Sequence, residues 1–509
     1  MKRTFLWLLT TLSLAAAPDA FVVAPYLQNP AQDSMTVLWV ARGPGSGRVR
    51  CWEGGQLVWQ REAGGHLPAR TLSYSPWERE NFEVPHPGYQ REVRIAGLKA
   101  GHAYRYEVEQ DGQRWEGEFH TAPSSTQSVH FIAYADSETE PESSGKAVNW
   151  ENPKEPASKR PYLVDQTTGY AANLEVIQQR KPDFVVIAGD IVETGGEQRD
   201  WDEFWKHNRQ LAGSIPIVGV IGNHEYYGGP NDGHYDEDSS ERAVDKYLTY
   251  FRAPSNGRRE ARERGRYFRM DYGPICLIAI DGCNGLPHKS GSDTNLYLGS
   301  QRRPQGDFNP GSLQYQWLEQ QLRDAQRRCQ FTFVAFHHCP YSSGVHALEP
   351  GFDVPHQDLQ SGRPMQVLTP LFGRYGVDVL LNGHDEMMER SEVDTLEVLP
   401  DGQMRPYKLQ VYDVGIGGDG LRGPELRNPL GKFLAHLDSP EVWQNGVLQD
   451  GGKHYGHLEV EVAPVAGKWR ATLTPVYVFP VLDSSGRVLR FERRVYADTV
   501  VLERKSPGR

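Results

Sequence analysis

The spacing of apolar and polar residues changes character along the chain. Over residues 21–123 short alternating stretches, among them 35–40 and 48–52, are separated by turn residues. Period-two alternation with frequent turns predicts half-buried strands in an all-β sandwich. After Gln127 the alternation gives way to continuous apolar runs at 129–135, 184–188, 215–221, 275–280, 331–336 and 377–381. Helical periodicity follows several of them, at 170–180, 199–211 and 312–328. Strand alternating with helix predicts an α/β layered domain with a buried sheet, whose ligands sit at the carboxyl ends of strands. Two polar stretches, 137–166 and 228–264, read as surface insertions that rim such a site. The tail beyond residue 466 alternates again, which predicts a β-rich extension.

The first twenty residues follow a different rule. Met1-Lys2-Arg3 precedes an apolar run through Leu14 and a stretch of alanines to Ala17. The run is shorter than the roughly 20 residues of a membrane-spanning helix and reads as a secretory signal peptide. The expected location is therefore secreted or periplasmic, with no stable membrane insertion. Net charge is −11, from 55 Lys+Arg against 66 Asp+Glu, which argues against a nucleic-acid coat, so no nucleic-acid partner is expected. Five cysteines are too few for a disulfide scaffold. Cys276 with Cys283, and Cys329 with Cys339, flank strand ends and are the pairs that sequence proximity suggests.

Five apolar runs end in residues that seek metal. The first ends in Asp136-Ser137-Glu138, the second in Gly189-Asp190 and the third in Gly222-Asn223-His224-Glu225. The fourth ends in His337-His338, and the fifth in Gly383-His384-Asp385-Glu386. Each alone is weak, because Gly-Asp after a strand is a common turn and a lone His is more often packed than ligating. Five in this order, each on an apolar strand, resemble the calcineurin-like metallophosphoesterases, and within them the purple acid phosphatases. The opening Ala24-Pro25-Tyr26-Leu27-Gln28, the stretch Val414-Gly415-Ile416-Gly417-Gly418-Asp419-Gly420 and the segment 454–460 are similar to that family too.

The resemblance implies a four-layer α/β (α+β) sandwich at 128–465. It would be preceded at 21–123 by a fibronectin type III-like β-sandwich, with 1–20 as signal peptide and 466–509 as extension. Tyr104 and Tyr106, on one strand face after a turn at Gly101, fit the tyrosine corner of such a sandwich. The resemblance also implies two metal ions. Asp190 is the candidate shared carboxylate, with Asn223, His337 and His384 completing one site and Asp136, Glu138 and Glu386 serving the other. His224 is the candidate group over the substrate, and His338 stands beside it as a second catalytic candidate. Tyr341 and His346 are placed near the entrance.

Two positions depart from the family pattern. The Tyr expected three residues after the shared Asp is Glu193, and the second imidazole of the Gly-His-X-His motif is Glu386. The first site is thus all oxygen, which suits Mn or Fe, whereas the imidazole-containing partner suits Zn, Fe or Mn. The implied reaction is hydrolysis of small-molecule phosphate monoesters, by in-line attack of a hydroxide held between the metals. A phosphodiesterase or nucleotide hydrolase would use the same residues. A non-catalytic surface module with a degraded site is the reading from another functional class.

Overall fold

The structure is a computed structural model describing residues 19–64, 69–152, 155–259, 263–283, 308, 310–347, 361–425, 427–435 and 441–505. Nearly all of the expected signal peptide lies outside these residues. No helix among them is long and apolar enough to cross a membrane.

Residues 21–120 form two antiparallel sheets. One contains Phe21–Gln28, Ser34–Ala41 and Tyr89–Ala96; the other contains Gln56–Ala63, Gly47–Glu53, Ala103–Gln110 and Gln113–His120. Alternation along the strands turns Val37, Trp39, Val49, Cys51, Val93, Tyr106 and Val108 inward to one shared core. The Lys99 amide donates to Tyr104 Oη at 2.9 Å, which ties the turn before that strand to the strand itself. Tyr106 Oη instead donates to Gly213 O at 2.8 Å, and Tyr26 Oη to Tyr250 O at 3.0 Å. These tyrosines fasten the sandwich to the larger domain.

That domain is built on two seven-stranded sheets packed face to face. The first runs Ile217–Gly219, Phe184–Ile187, Val129–Tyr134, Gly456–Val465 and Lys468–Leu482, with Val488–Val495 and Val500–Lys505 both pairing to the last of these. The second runs Phe268–Tyr272, Ile275–Ala279, Phe331–His338, Val379–Gly383, Met404–Val414, Met388–Val398 and Gly431–Leu434. Phe131, Val186, Phe333, Leu381, Tyr412 and Val460 meet between the sheets. Phe131 stacks on Phe184 at 4.9 Å and meets Phe333 edge-on at 5.1 Å. Helices Gln166–Arg180, Gln198–Asn208 and Glu237–Tyr250 cover the first sheet, and Leu313–Arg328 and Thr369–Arg374 the second. The order is helix, sheet, sheet, helix. The tail strands are thus built into the first sheet.

Two expectations need correcting. Residues 228–264 are not merely a polar insertion, because helix Glu237–Tyr250 turns Ala243, Val244, Tyr247 and Tyr250 into the core while Arg242 and Asp245 face outward. Apolar residues four and seven positions apart carry that face, and the density of charge hides them in the sequence. The disulfide joins Cys276 to Cys329, 53 residues apart, and Cys283 and Cys339 are buried outside it. Neighbouring parallel strands, with Cys276 opposite Thr332, bring the two sulfurs together, a proximity that sequence distance cannot show. In the chain-entropy account a loop of this length stabilises the fold by at most about 4 kcal/mol. Reduction is therefore expected to lower unfolding free energy by about 2–4 kcal/mol, measured by denaturant melts with and without reductant. An unchanged midpoint would show that the bridge does not constrain the native chain.

Candidate metal centre

The strand ends converge where the two sheets meet. Parallel pairing of Val129–Tyr134 with Phe184–Ile187, and of Phe331–His338 with Val379–Gly383, points their carboxyl ends the same way. Asp136, Glu138, Asp190, His384 and Glu386 all have positive φ, at 55°, 35°, 50°, 80° and 49°. Such backbone costs of the order of 1–3 kcal/mol per residue and persists where the surroundings over-determine it. Its concentration here marks a site under constraint.

Two buried donor groups share one residue. Asp190, His337 and His384 offer ligand atoms within 4.8 Å of one another, as do Asp136, Glu138 and Asp190. His337 Nε2 lies 2.8 Å from Asp190 Oδ2, 3.8 Å from Asp136 Oδ1 and 3.2 Å from His384 Nδ1. His337 Nδ1 stands 3.0 Å from Ala188 O, which orients the ring with Nε2 toward the carboxylates. Asn223 is wholly buried, and its Oδ1 has no hydrogen-bond partner among the described residues. A buried oxygen left so is costly unless something absent from the chain takes it up. It is the donor that a cation would use.

The turns are shaped for these ligands. Glu225 accepts from the amides of Asp190, Ile191 and Gly222 at 3.1, 2.8 and 2.7 Å, so one buried carboxylate fixes two strand-end loops. Gly189 has φ 100°, and a Cβ there would lie 2.4 Å from the His337 ring. The His384 amide donates to both oxygens of Asp136 at 3.0 Å.

Electrostatics point the same way. Burial, then the charges of Asp419, Glu386 and Glu193, push the Glu138 carboxyl well above its ordinary range. Burial does the same to Asp136. Burial also opposes ionisation of Asp190, but His337 and His224 outweigh it and hold that carboxyl far below the usual range. For His337, burial is overcome by Asp190 and Asp136, which raise the imidazole to about 10. Cations here would favour ionised carboxylates and a neutral imidazole, so metal uptake would release protons. The donor set therefore fits a pair of ions.

His224 is placed differently. It is part-exposed, its amide donates to Asp190 Oδ1 at 3.0 Å, and its Nε2 stands 3.9 Å from Asp190 Oδ2. Burial lowers its affinity for a proton, but the Asp190 and Glu193 charges raise the ring to about 9. His338 is wholly buried, its ring centroid 4.4 Å from that of His384. His346 packs at a tilt against the same His384 ring at 4.1 Å, while the Tyr341 hydroxyl meets that of Thr369 at 2.9 Å. Glu386 is in the cluster, and both its oxygens face Arg422, at 2.8 Å from Nε and 2.6 Å from NH2.

Sequence reasoning passed over Asp419, Arg422 and Glu225. Asp419 forms a third oxygen group with Glu138 and Glu386. Its loop is held under the site by the amides of Gly418 and Asp419, which donate to Asp136 O at 3.0 and 2.9 Å. The glycine-rich run 414–420 was the available signal.

Comparison with known proteins bears on the fold. Residues 164–386 match the family model described as calcineurin-like phosphoesterase. An uncharacterised protein of Mycobacterium tuberculosis is 24% identical over 336 residues, spanning 64% of this chain and 54% of that protein. The chain thus spans about half the length of this curated relative. An Arabidopsis thaliana protein named as a probable inactive purple acid phosphatase is 25% identical over 251 residues, 48% of this chain and 35% of its own. A purple acid phosphatase from yellow lupin (Lupinus luteus) seeds superposes with a TM-score of 0.59 at 17% identity, covering 95% of this chain and 75% of that one. At that identity the likeness speaks for the fold. Residues 164–386 thus match the calcineurin-like phosphoesterase model, and the chain has the mixed α/β metallophosphoesterase fold preceded by an all-β sandwich.

Proposed function

We propose that the protein is an exported, dinuclear-metal phosphohydrolase acting on phosphate monoesters. One observation carries the reading: two buried donor groups meet at Asp190. Asp190, Asn223, His337 and His384 would hold one ion, and Asp136, Glu138 and Asp190 the other, with Asp419 and Glu386 at its edge. The imidazole-containing group suits Zn, Fe or Mn, and the all-oxygen group Mn or Fe. When bound, such a pair lowers the pKa of water and neutralises charge on the phosphoryl oxygens, the two needs of phosphoryl transfer.

The remaining tasks fall to side chains of this chain. His224 is the part-exposed imidazole beside Asp190, which suits it to donate a proton to the leaving oxygen. His338, enclosed behind the packing of its ring on His384, acts by fixing that ligand. Glu225 keeps the shared carboxylate in register through the three amides it binds. The Cys276–Cys329 bridge supports export, since structural disulfides persist in oxidising compartments.

Hydrolysis of an aryl phosphate and of a bis-aryl phosphate by protein loaded with Mn, Fe or Zn tests the proposal. A monoester preference of about tenfold or more in kcat/KM is expected. A strong diester preference would move the assignment to a phosphodiesterase, and no turnover of either, with two ions bound, would defeat the hydrolase reading.

A further inference from the structure

Arg422 follows a turn in which Gly420 and Leu421 both have positive φ, at 65° and 63°. Its backbone is fixed on two sides, because its amide donates to Glu386 O at 3.1 Å and Lys453 Nζ donates to the preceding carbonyl at 2.8 Å. The guanidinium is fixed as well. It forks onto both Glu386 oxygens and places NH1 3.2 Å from His346 Nε2, whose ring packs at a tilt against His384. The side chain is nevertheless 47% exposed. Two of its five N–H donors have no partner among the described residues.

Charge decides what those donors meet. Asp136, Glu138, Asp190, Glu193, Glu386 and Asp419 crowd six carboxylates into the donor groups. Two divalent ions would leave that cluster negative, which would repel a phosphate dianion. Arg422 offsets part of the excess. A guanidinium held rigidly beside a metal pair, with donors still directed to solvent, has the fork geometry that phosphate oxygens accept.

Resting on the hydrolase reading above, we propose that Arg422 contacts the substrate phosphoryl group, and that Glu386 serves chiefly to position this arginine. Sequence reading had assigned Glu386 to metal alone.

Calorimetric titration of inorganic phosphate into the manganese-loaded protein, with metal content measured in parallel, tests the proposal. Arg422→Gln is expected to weaken phosphate binding about ten- to a hundredfold with both ions retained. Arg422→Lys, which keeps the charge and loses the fork, is expected to fall between Arg422→Gln and wild type. Should Arg422→Gln fail to fold, Arg422→Lys decides alone, by a weakening of more than twofold. Affinity within twofold of wild type in a folded, metal-loaded Arg422→Gln, or in Arg422→Lys when it decides alone, overturns the proposal. Loss of ions from Arg422→Gln overturns it too, since the arginine would then serve metal assembly. Wild-type protein that takes up neither metal nor phosphate defeats the hydrolase reading itself.

Discussion

Asp190→Ala is expected to lower phosphoester turnover by on the order of a thousandfold or more, the scale on which loss of a central charge-stabilising group acts. The reason is position. Asp190 belongs to both buried donor groups, so its removal takes a ligand from each ion at once. The same carboxylate is the nearest partner of His337, at 2.8 Å. Removing one member of a buried charge pair costs about 3–5 kcal/mol, and Asp136 at 3.8 Å from the same nitrogen keeps the loss near the lower end. Asp190→Asn separates the two effects, because the amide keeps the shape and an oxygen donor while losing the charge. It should fold with a smaller stability loss and still lack turnover. Full activity in either variant would show that the shared carboxylate is not needed.

Gly222→Ala is expected to reduce turnover at least about a hundredfold although it adds only one methyl group. A Cβ at this position would lie 2.2 Å from Asp190 Oδ1 and 2.5 Å from the Asp190 amide nitrogen. The second contact is backbone and cannot rotate away. Asp190 must shift, and with it the amides that Glu225 gathers from Asp190, Ile191 and Gly222. Overpacking of this kind costs about 1–3 kcal/mol of stability. Steady-state kinetics with metal titration checks the variant: weakened metal affinity with reduced kcat is expected. Kinetics indistinguishable from wild type would mean that the turn has room to spare.

How much of this was legible follows the physics of each feature. The buried strands announced themselves as apolar runs, because a sheet covered on both faces needs no polar alternation. The ligands followed, since ligand sites lie at strand carboxyl ends and each run stopped in a donor. What the sequence hid depends on long-range pairing. Cys276 finds Cys329 only because their strands are neighbours. Asp419 reaches the site from a loop pinned beneath Asp136, some 280 residues earlier in the chain. Glu386 looked like a straightforward ligand replacement until Arg422, 36 residues on, proved to hold both of its oxygens. The helix at Glu237–Tyr250 was obscured by charge on its outer face. Local pattern carries burial; partnership between side chains has to be seen in three dimensions.

A crystal soaked in manganese and measured for anomalous scattering gives the most direct test. Two peaks should flank the Asp190 carboxylate, one bounded by Asn223, His337 and His384 and the other by Asp136 and Glu138. A single peak away from Asp190, or none in protein shown to be folded, would contradict the assignment of a dinuclear centre.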